Sequence, residues 1–223
     1  MAHTLKAADV SARPELTDWR FMLNRIEAQF DADAFDAAGR FVAQIGALAQ
    51  AADHHPNVDL RYPGLVHVAL TSHSDGGVTE KDVALATSIS ELATADGLTS
   101  SPAKVRTVEI GIDALDIGLV LPFWRAVLGY VDGSATRDGQ PIDVVDPAGI
   151  GPEVWFQQMD EPRPQRNRIH FDVTVPHDVA EQRIADTIAA GGRLINDSEA
   201  KAFWVLADPE GNEACICTWQ DRD

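Results

Sequence analysis

From about residue 105 onward the chain repeats itself, and this limits its fold more than any other feature. A strand-like run over 105–113 is followed by an apolar helix pattern over 117–128 that stops at Gly129, and then by strand-like runs over 142–145 and 153–158. The pattern restarts with a run over 168–175 and a helix pattern over 179–190 that stops at Gly191-Gly192. Runs over 193–196, 203–206 and 214–219 complete it. Two β-α-β-β-β units of about 55 residues each predict a pseudo-symmetric pair.

Ahead of the repeat, Asp96-Gly97-Leu98-Thr99-Ser100-Ser101-Pro102 is rich in turn formers and has no apolar period, so it reads as a linker. This gives a first domain over 1–98, a linker over 99–104 and a second domain over 105–223. In the first domain, 19–30 reads as strand-like, and Asp31 or Asp33 is expected to cap a helix. Its apolar positions Phe35, Ala38, Val42, Ile45, Leu48 and Ala49 recur at three- and four-residue steps. That helix stops near Ala52, because Pro56 disfavours a helical His55. A strand is expected over 60–73, a turn at Gly76-Gly77, a cap at Thr79 and a second helix over 81–95. Four of the seven histidines, His54, His55, His67 and His73, fall within twenty residues. Imidazole titrates near neutral pH, so histidines converging from a helix end and a strand end suit acid/base chemistry without a metal.

Composition narrows the partners. The net charge is −17, and acidic residues outnumber basic ones on both sides of the linker. Neither part offers a surface for phosphate backbones or anionic lipid, so no nucleic-acid or membrane partner is expected. No apolar run approaches the roughly 18 residues of a membrane span, and the start lacks the apolar core of a signal peptide, so a cytoplasmic, soluble protein is expected. Cys215 and Cys217 are expected to point to opposite faces of a strand and not to bridge each other.

The first domain resembles the pterin-4a-carbinolamine dehydratases. The matching elements are the phenylalanine-spaced helix at Phe35 and Phe41, the corner His54-His55-Pro56, Tyr62, the strand ending at His73, Gly77, and Asp82 at the start of the last helix. The resemblance covers roughly residues 15–97. It implies loss of water from a 4a-hydroxytetrahydropterin to give the quinonoid dihydropterin, with no cofactor required. His54, His55 and His73 would contact the pterin and move protons, with acid and base roles left open. Asp82 would sit near His73 and orient it. Gln50, Asp53, Pro56 and Tyr62 would help bind the substrate. Gln50 stands where such proteins often carry glutamate, which bears on rate more than on binding, because glutamine cannot stabilise an imidazolium as a carboxylate does. The resemblance also implies a homodimer or homotetramer.

The second domain resembles the glyoxalase/bleomycin-resistance (vicinal oxygen chelate) superfamily. The resemblance rests on 108–113, on Phe123-Trp124-Arg125-Ala126-Val127-Leu128-Gly129-Tyr130, on Asn167-Arg168-Ile169-His170-Phe171-Asp172 and on Asp208-Pro209-Glu210-Gly211-Asn212-Glu213. If this domain holds a divalent metal, the implied ligand positions are Glu109, Glu153, His170 and Cys215; a metal-free cavity used for binding is the other outcome. Trp124, Trp155, Trp204 and Trp219 are expected mostly in the core, and one or two lining a cavity would suit a flat or apolar small molecule. The fold class is therefore α+β: a dehydratase-like antiparallel sheet with helices on one face, then a two-module βαβββ domain. The leading function is pterin dehydration with an accessory second domain. The alternatives are a non-catalytic small-molecule binding protein, or metal-dependent lyase or dioxygenase chemistry in the second domain.

Overall fold

The computed structural model describes residues 3–162, 170–218 and 220–221. The chain divides into two compact units, Met1–Thr107 and Val108–Asp223.

In the first unit, α1 (Ala7–Ser11) precedes the strands β1 (Trp19–Met22) and β2 (Arg25–Asp31). Then come α2 (Phe35–Ala52), β3 (Asn57–Arg61), β4 (Leu65–Leu70), α3 (Glu80–Ala95) and the short β5 (Thr99–Ser100). The sheet order is β1-β2-β4-β3, and all its pairings are antiparallel. Alternation along the strands sends Ile26, Ala28 and Phe30 of β2, and Val66, Val68 and Leu70 of β4, into one core. Ala38, Phe41, Ile45 and Ala49, at helical spacing on α2, and Leu85, Ala86, Ile89 and Ala93 on α3 share that core. Phe30 and Phe41 meet edge to face with centroids 5.4 Å apart. Truncating either ring to alanine would cost about 3–5 kcal/mol.

Several expectations are corrected here. The run over 19–30 is a hairpin that reverses at Leu23, whose φ is 57°. The run over 60–73 contains another reversal: Tyr62-Pro63-Gly64 separates β3 from β4, and His73 lies in the turn beyond β4. Gly64 is required there, because a Cβ would sit 2.5 Å from the Ala32 carbonyl oxygen. Neither Asp31 nor Asp33 caps α2; Ala34 holds that position without a side-chain bond. Asp31 instead accepts from Ser101 Oγ at 2.7 Å and Lys104 Nζ at 3.3 Å, and Ser101 N donates to the Gln29 carbonyl at 2.8 Å. The hydrogen bond from Ser101 holds the Asp31 carboxyl below its ordinary range. The expected linker 99–104 is thus docked on the first unit, with β5 paired to β2.

In the second unit the first module runs β6 (Glu109–Ala114), α4 (Ile117–Leu128), β7 (Val131–Asp132), the hairpin β8 (Thr136–Arg137) and β9 (Gln140–Pro141), β10 (Asp143–Val145) and β11 (Glu153–Gln158). The second module runs β12 (Phe171–Thr174), α5 (Ala180–Ala189), β13 (Arg193–Asn196), β14 (Phe203–Ala207) and β15 (Glu213–Cys217). The sheets follow the same path, β6-β11-β10-β7 and β12-β15-β14-β13. In each, the first and last strands are parallel and the remaining pairs antiparallel. This is the expected repeated βαβββ arrangement with open sheets. The modules share a core in which Phe123, Trp124 and Val127 of α4 join Val154 and Phe156 with Leu206, Ala214 and Ile216. Gly129 ends α4 in the left-handed region (φ 73°), and a Cβ there would lie 2.5 Å from the Arg183 guanidinium. Arg183 itself donates to the Val127 carbonyl at 3.2 Å. Residues Asn167, Arg168, Ile169 and Trp219 of the sequence motifs lie outside the described residues. No helix among the described residues is long and apolar enough to cross a membrane.

Candidate active site

At one end of the first sheet the C-terminus of α2, the end of β4 and the N-terminus of α3 converge. Asp53 leaves α2 in the left-handed conformation (φ 45°, ψ 46°), and His54 N returns to the Ala49 carbonyl at 3.1 Å. Past this reversal the His54 side chain, 12% exposed, places Nε2 2.6 Å from Oδ1 of Asp82.

Asp82 is fully buried. It is the third residue of α3 and forms a capping box with Thr79: Thr79 N donates to Oδ2 at 2.7 Å, and the Thr79 side chain accepts at the helix start. Ser72 Oγ donates to the same Oδ2 at 2.8 Å. Ser72 is held at the end of β4 by its bridge to Gly77, with Ser72 N bonding the Gly77 carbonyl at 3.0 Å. A carboxylate surrounded by donors is an acceptor, so the imidazole facing it donates through Nε2–H. In a neutral ring this leaves Nδ1 as the nitrogen able to take a proton, and the carboxylate behind it stabilises the imidazolium that results.

Asp82 thus meets His54, not His73 as expected. It is both a helix-capping residue and the imidazole's partner. His73 follows Ser72 directly in the turn 73–76 and is exposed, as is His55. Gln50 and Asp53 are exposed on the last turn and cap of α2, and Pro56 is half-buried after the corner. Tyr62, 88% exposed, stands at the opposite end of β3, roughly 20 Å of extended chain from Pro56, so one chain does not bring it to this cluster. Ser72 is a member that sequence reasoning missed; Thr79 was expected as a helix cap and is one, and the Thr-x-x-Asp spacing of a capping box, Thr79 to Asp82, was the signal for its link to this carboxylate.

His67 belongs elsewhere. Val66 and Val68 face the core, so His67 faces the other side of the sheet, in register with Gln29 and Asp59. Its Nε2 lies 3.1 Å from Oε2 of Glu27, which is 1% exposed and also receives Thr107 Oγ1 at 3.2 Å. Burial would raise the Glu27 carboxyl, but the bonds from His67 and Arg25 outweigh it and hold Glu27 below its ordinary range. This contact is structural.

In the second unit the implied ligand positions do not gather as a set. Glu109 and Glu153 are register neighbours on β6 and β11 in the first module's sheet. Among the described residues they join no group of three metal-ligating side chains; the group that forms is His170, Asp172 and Cys215, with ligand atoms within 4.8 Å of one another. Strand geometry explains it. His170 and Asp172 are two apart along the start of β12, and Asp172 is in parallel register with Cys215 of β15. Cys215 and Cys217 share a face, contrary to expectation, because residues two apart on a strand point the same way. Both line one cavity of about 500 Å³ together with His170, Asp172, Glu199 and Phe203. Burial, then the charge of Asp172, pushes the Cys215 thiol up to about 12.

A second cavity, of about 300 Å³, is lined chiefly by apolar side chains, among them Trp124, Tyr130 and Phe171, with Asp172 at its polar side. Trp124 is core, its ring edge-on to Phe123 and Phe171, and its Nε1 donates to Asp208 Oδ2 at 3.1 Å. Asp208 is fully buried and also accepts from Glu210 N and from Asn212 N and Nδ2. Glu210 accepts from Leu115 N and Asp116 N ahead of α4. The Asp-Pro-Glu-Gly-Asn motif is therefore a structural turn that ties the two modules together.

Two family models match the chain: pterin 4 alpha carbinolamine dehydratase over residues 3–92, and a glyoxalase-like domain over 109–217. A relative from Chloroflexus aurantiacus, named as a candidate pterin-4-alpha-carbinolamine dehydratase, is 45% identical over 86 residues, which is 39% of this chain and 88% of the relative. A transcriptional coactivator/pterin dehydratase structure from Brucella melitensis is 30% identical, covering 41% of this chain and 99% of its own, with a TM-score of 0.38. A glyoxalase/bleomycin resistance protein/dioxygenase family structure from Burkholderia phytofirmans is 19% identical, covering 49% and 95%, with a TM-score of 0.37.

Proposed function

The chain belongs to the pterin-4a-carbinolamine dehydratase family and carries a glyoxalase-like domain behind it, and we propose that its first domain removes water from a 4a-hydroxytetrahydropterin to give the quinonoid dihydropterin. The observation that carries this reading is the His54–Asp82 pair, with Nε2 2.6 Å from a fully buried carboxylate. Dehydration requires a proton on the departing C4a hydroxyl and loss of the proton on N5. With Nε2–H given to Asp82, His54 takes the N5 proton at Nδ1, and Asp82 stabilises the charge that appears on the ring. His73 and His55 flank this corner on the exposed side, where a protonated imidazole can deliver its proton to the hydroxyl. Gln50, Asp53 and Pro56 form the rim that holds the pterin. None of these steps uses a metal. The chain works as a homo-oligomer, and the second domain is accessory to this reaction.

The test is stopped-flow dehydration of freshly generated 4a-hydroxytetrahydropterin. His54→Ala should lower the catalysed rate by about 10²–10⁴-fold, the usual contribution of a positioned acid or base. His73→Ala should lower it less, because a neighbouring imidazole remains. A His54→Ala rate equal to wild type overturns the reading.

A further inference from the structure

We propose that Ser72 is a positioning residue that couples the turn carrying His73 to the His54–Asp82 pair, so that the two imidazoles are fixed relative to each other. The coupling follows from the geometry of the first domain; its catalytic meaning rests on the dehydratase reading. Asp82 divides its two oxygens. Oδ1 faces His54 Nε2 at 2.6 Å, while Oδ2 takes Thr79 N at 2.7 Å and Ser72 Oγ at 2.8 Å. Holding Oδ2 stops the carboxylate from rotating about its own bond, and this fixes where Oδ1 meets the imidazole. Thr79 is the cap of the same helix that carries Asp82, so its bond fixes the carboxylate only relative to α3. The Ser72 hydroxyl comes from the end of β4 and ties the same oxygen to the sheet.

The backbone of Ser72 makes the other half of the coupling. Its N donates to the Gly77 carbonyl at 3.0 Å, and its carbonyl accepts from Asp75 N and Gly76 N, each at 3.0 Å. These bonds shape the turn 73–76, in which His73 follows Ser72 directly. Ser72 is 6% exposed, so its polar groups are shielded from water and are engaged at side chain and backbone alike. A shift of this turn therefore moves His73 through the chain, and moves Asp82 and His54 through the Ser72 hydroxyl. Misplacement by about 1 Å in a reacting constellation can cost about 100-fold in rate. Proton accounting shows why the tie can be cut without emptying the carboxylate. Thr79 Oγ1 lies 2.8 Å from Ser72 Oγ and 3.2 Å from Asp82 Oδ2, and its single proton can serve either. Without the Ser72 hydroxyl that proton turns to Oδ2. Asp82 keeps its donors and loses its bond to β4.

The experiment is a double-mutant cycle on the full chain, read by stopped-flow dehydration of 4a-hydroxytetrahydropterin and by the NMR resonance of the proton on His54 Nε2. Ser72→Ala should lower kcat about tenfold with KM unchanged, and Ser72→Thr, which restores the hydroxyl, should recover most of it. In the His73→Ala background the Ser72→Ala loss should shrink to about twofold, because one of the groups it positions is gone. Ser90→Ala is the control for a merely structural loss. It takes the acceptor from Trp19 Nε1, 3.0 Å away, about two turns further along α3, and should cost stability while leaving kcat unchanged. The His54 resonance is recorded without pterin; it should move in Ser72→Ala and return in Ser72→Thr. That arm decides the coupling even if His54→Ala keeps the wild-type rate and the dehydratase reading falls. An unmoved His54 resonance in Ser72→Ala overturns the proposal, and so do Ser72 and His73 losses that simply add.

Discussion

The two domains each build a cluster around a histidine and an aspartate, in opposite environments. In the first, Asp82 is fully buried and accepts from Thr79, Ser72 and His54, so its charge is met by protein donors and the imidazole is held in place. In the second, Asp172 is exposed and faces a buried thiol and further carboxylates across a cavity, with His170 3.4 Å away. A carboxylate already supplied with backbone and hydroxyl donors can orient a base, whereas Asp172 meets a thiol and an exposed imidazole. The residue types are nearly the same, and the hydrogen-bond inventory separates them.

The largest expected effect that would break this comparison is in catalysis. Asp82→Asn keeps a capping oxygen but withdraws the charge behind His54. It should lower the dehydration rate about 100-fold and shift the pH–rate profile. A purely structural role would reduce the amount of folded protein without moving the profile. A second change sharpens the separation from the other side. Asp208→Ala strips the acceptor from Trp124, Glu210 and Asn212 and should destabilise the second domain by about 2–4 kcal/mol in urea unfolding, with the dehydration rate retained. Loss of dehydratase activity in that variant would show that the first domain depends on the second. The smallest effect concerns pH. Glu27 is held below its ordinary value of 4.5, so its contribution to stability is present above pH 4.5 and is lost as pH falls through its folded value. Glu27→Gln should flatten the acid limb of the first domain's stability curve, measured by urea unfolding at stepped pH. An unchanged slope would remove the Glu27–His67 pair from the account.

The repeated module was legible in the sequence because its punctuation is local: Gly129 after α4, Gly191 after α5, and apolar runs at strand and helix periods between them. The expected spans 117–128, 153–158 and 193–196 coincide with α4, β11 and β13. The hairpins were less legible although their signals were present: Tyr62-Pro63-Gly64 interrupts a run whose apolar pattern otherwise continues through it. His54 and Asp82 stood out in the sequence, and their pairing did not. His54 and Asp82 are 28 positions apart, and only the packing of α2 against α3 decides that they meet. The cluster in the second domain needed one further fact, the parallel register that places Asp172 beside Cys215. Strand alternation alone would have put Cys215 and Cys217 on one face.

The most direct test of the central claim, that the chemistry of this chain resides in the His54–Asp82 site and owes nothing to the metal-ligating cluster, is the dehydration rate of the full chain before and after exhaustive removal of metal. The account predicts the same rate above the spontaneous reaction in both samples, with zinc added back causing no change. A rate that falls to the spontaneous level on metal removal and returns with zinc would contradict it and place the reaction at His170, Asp172 and Cys215.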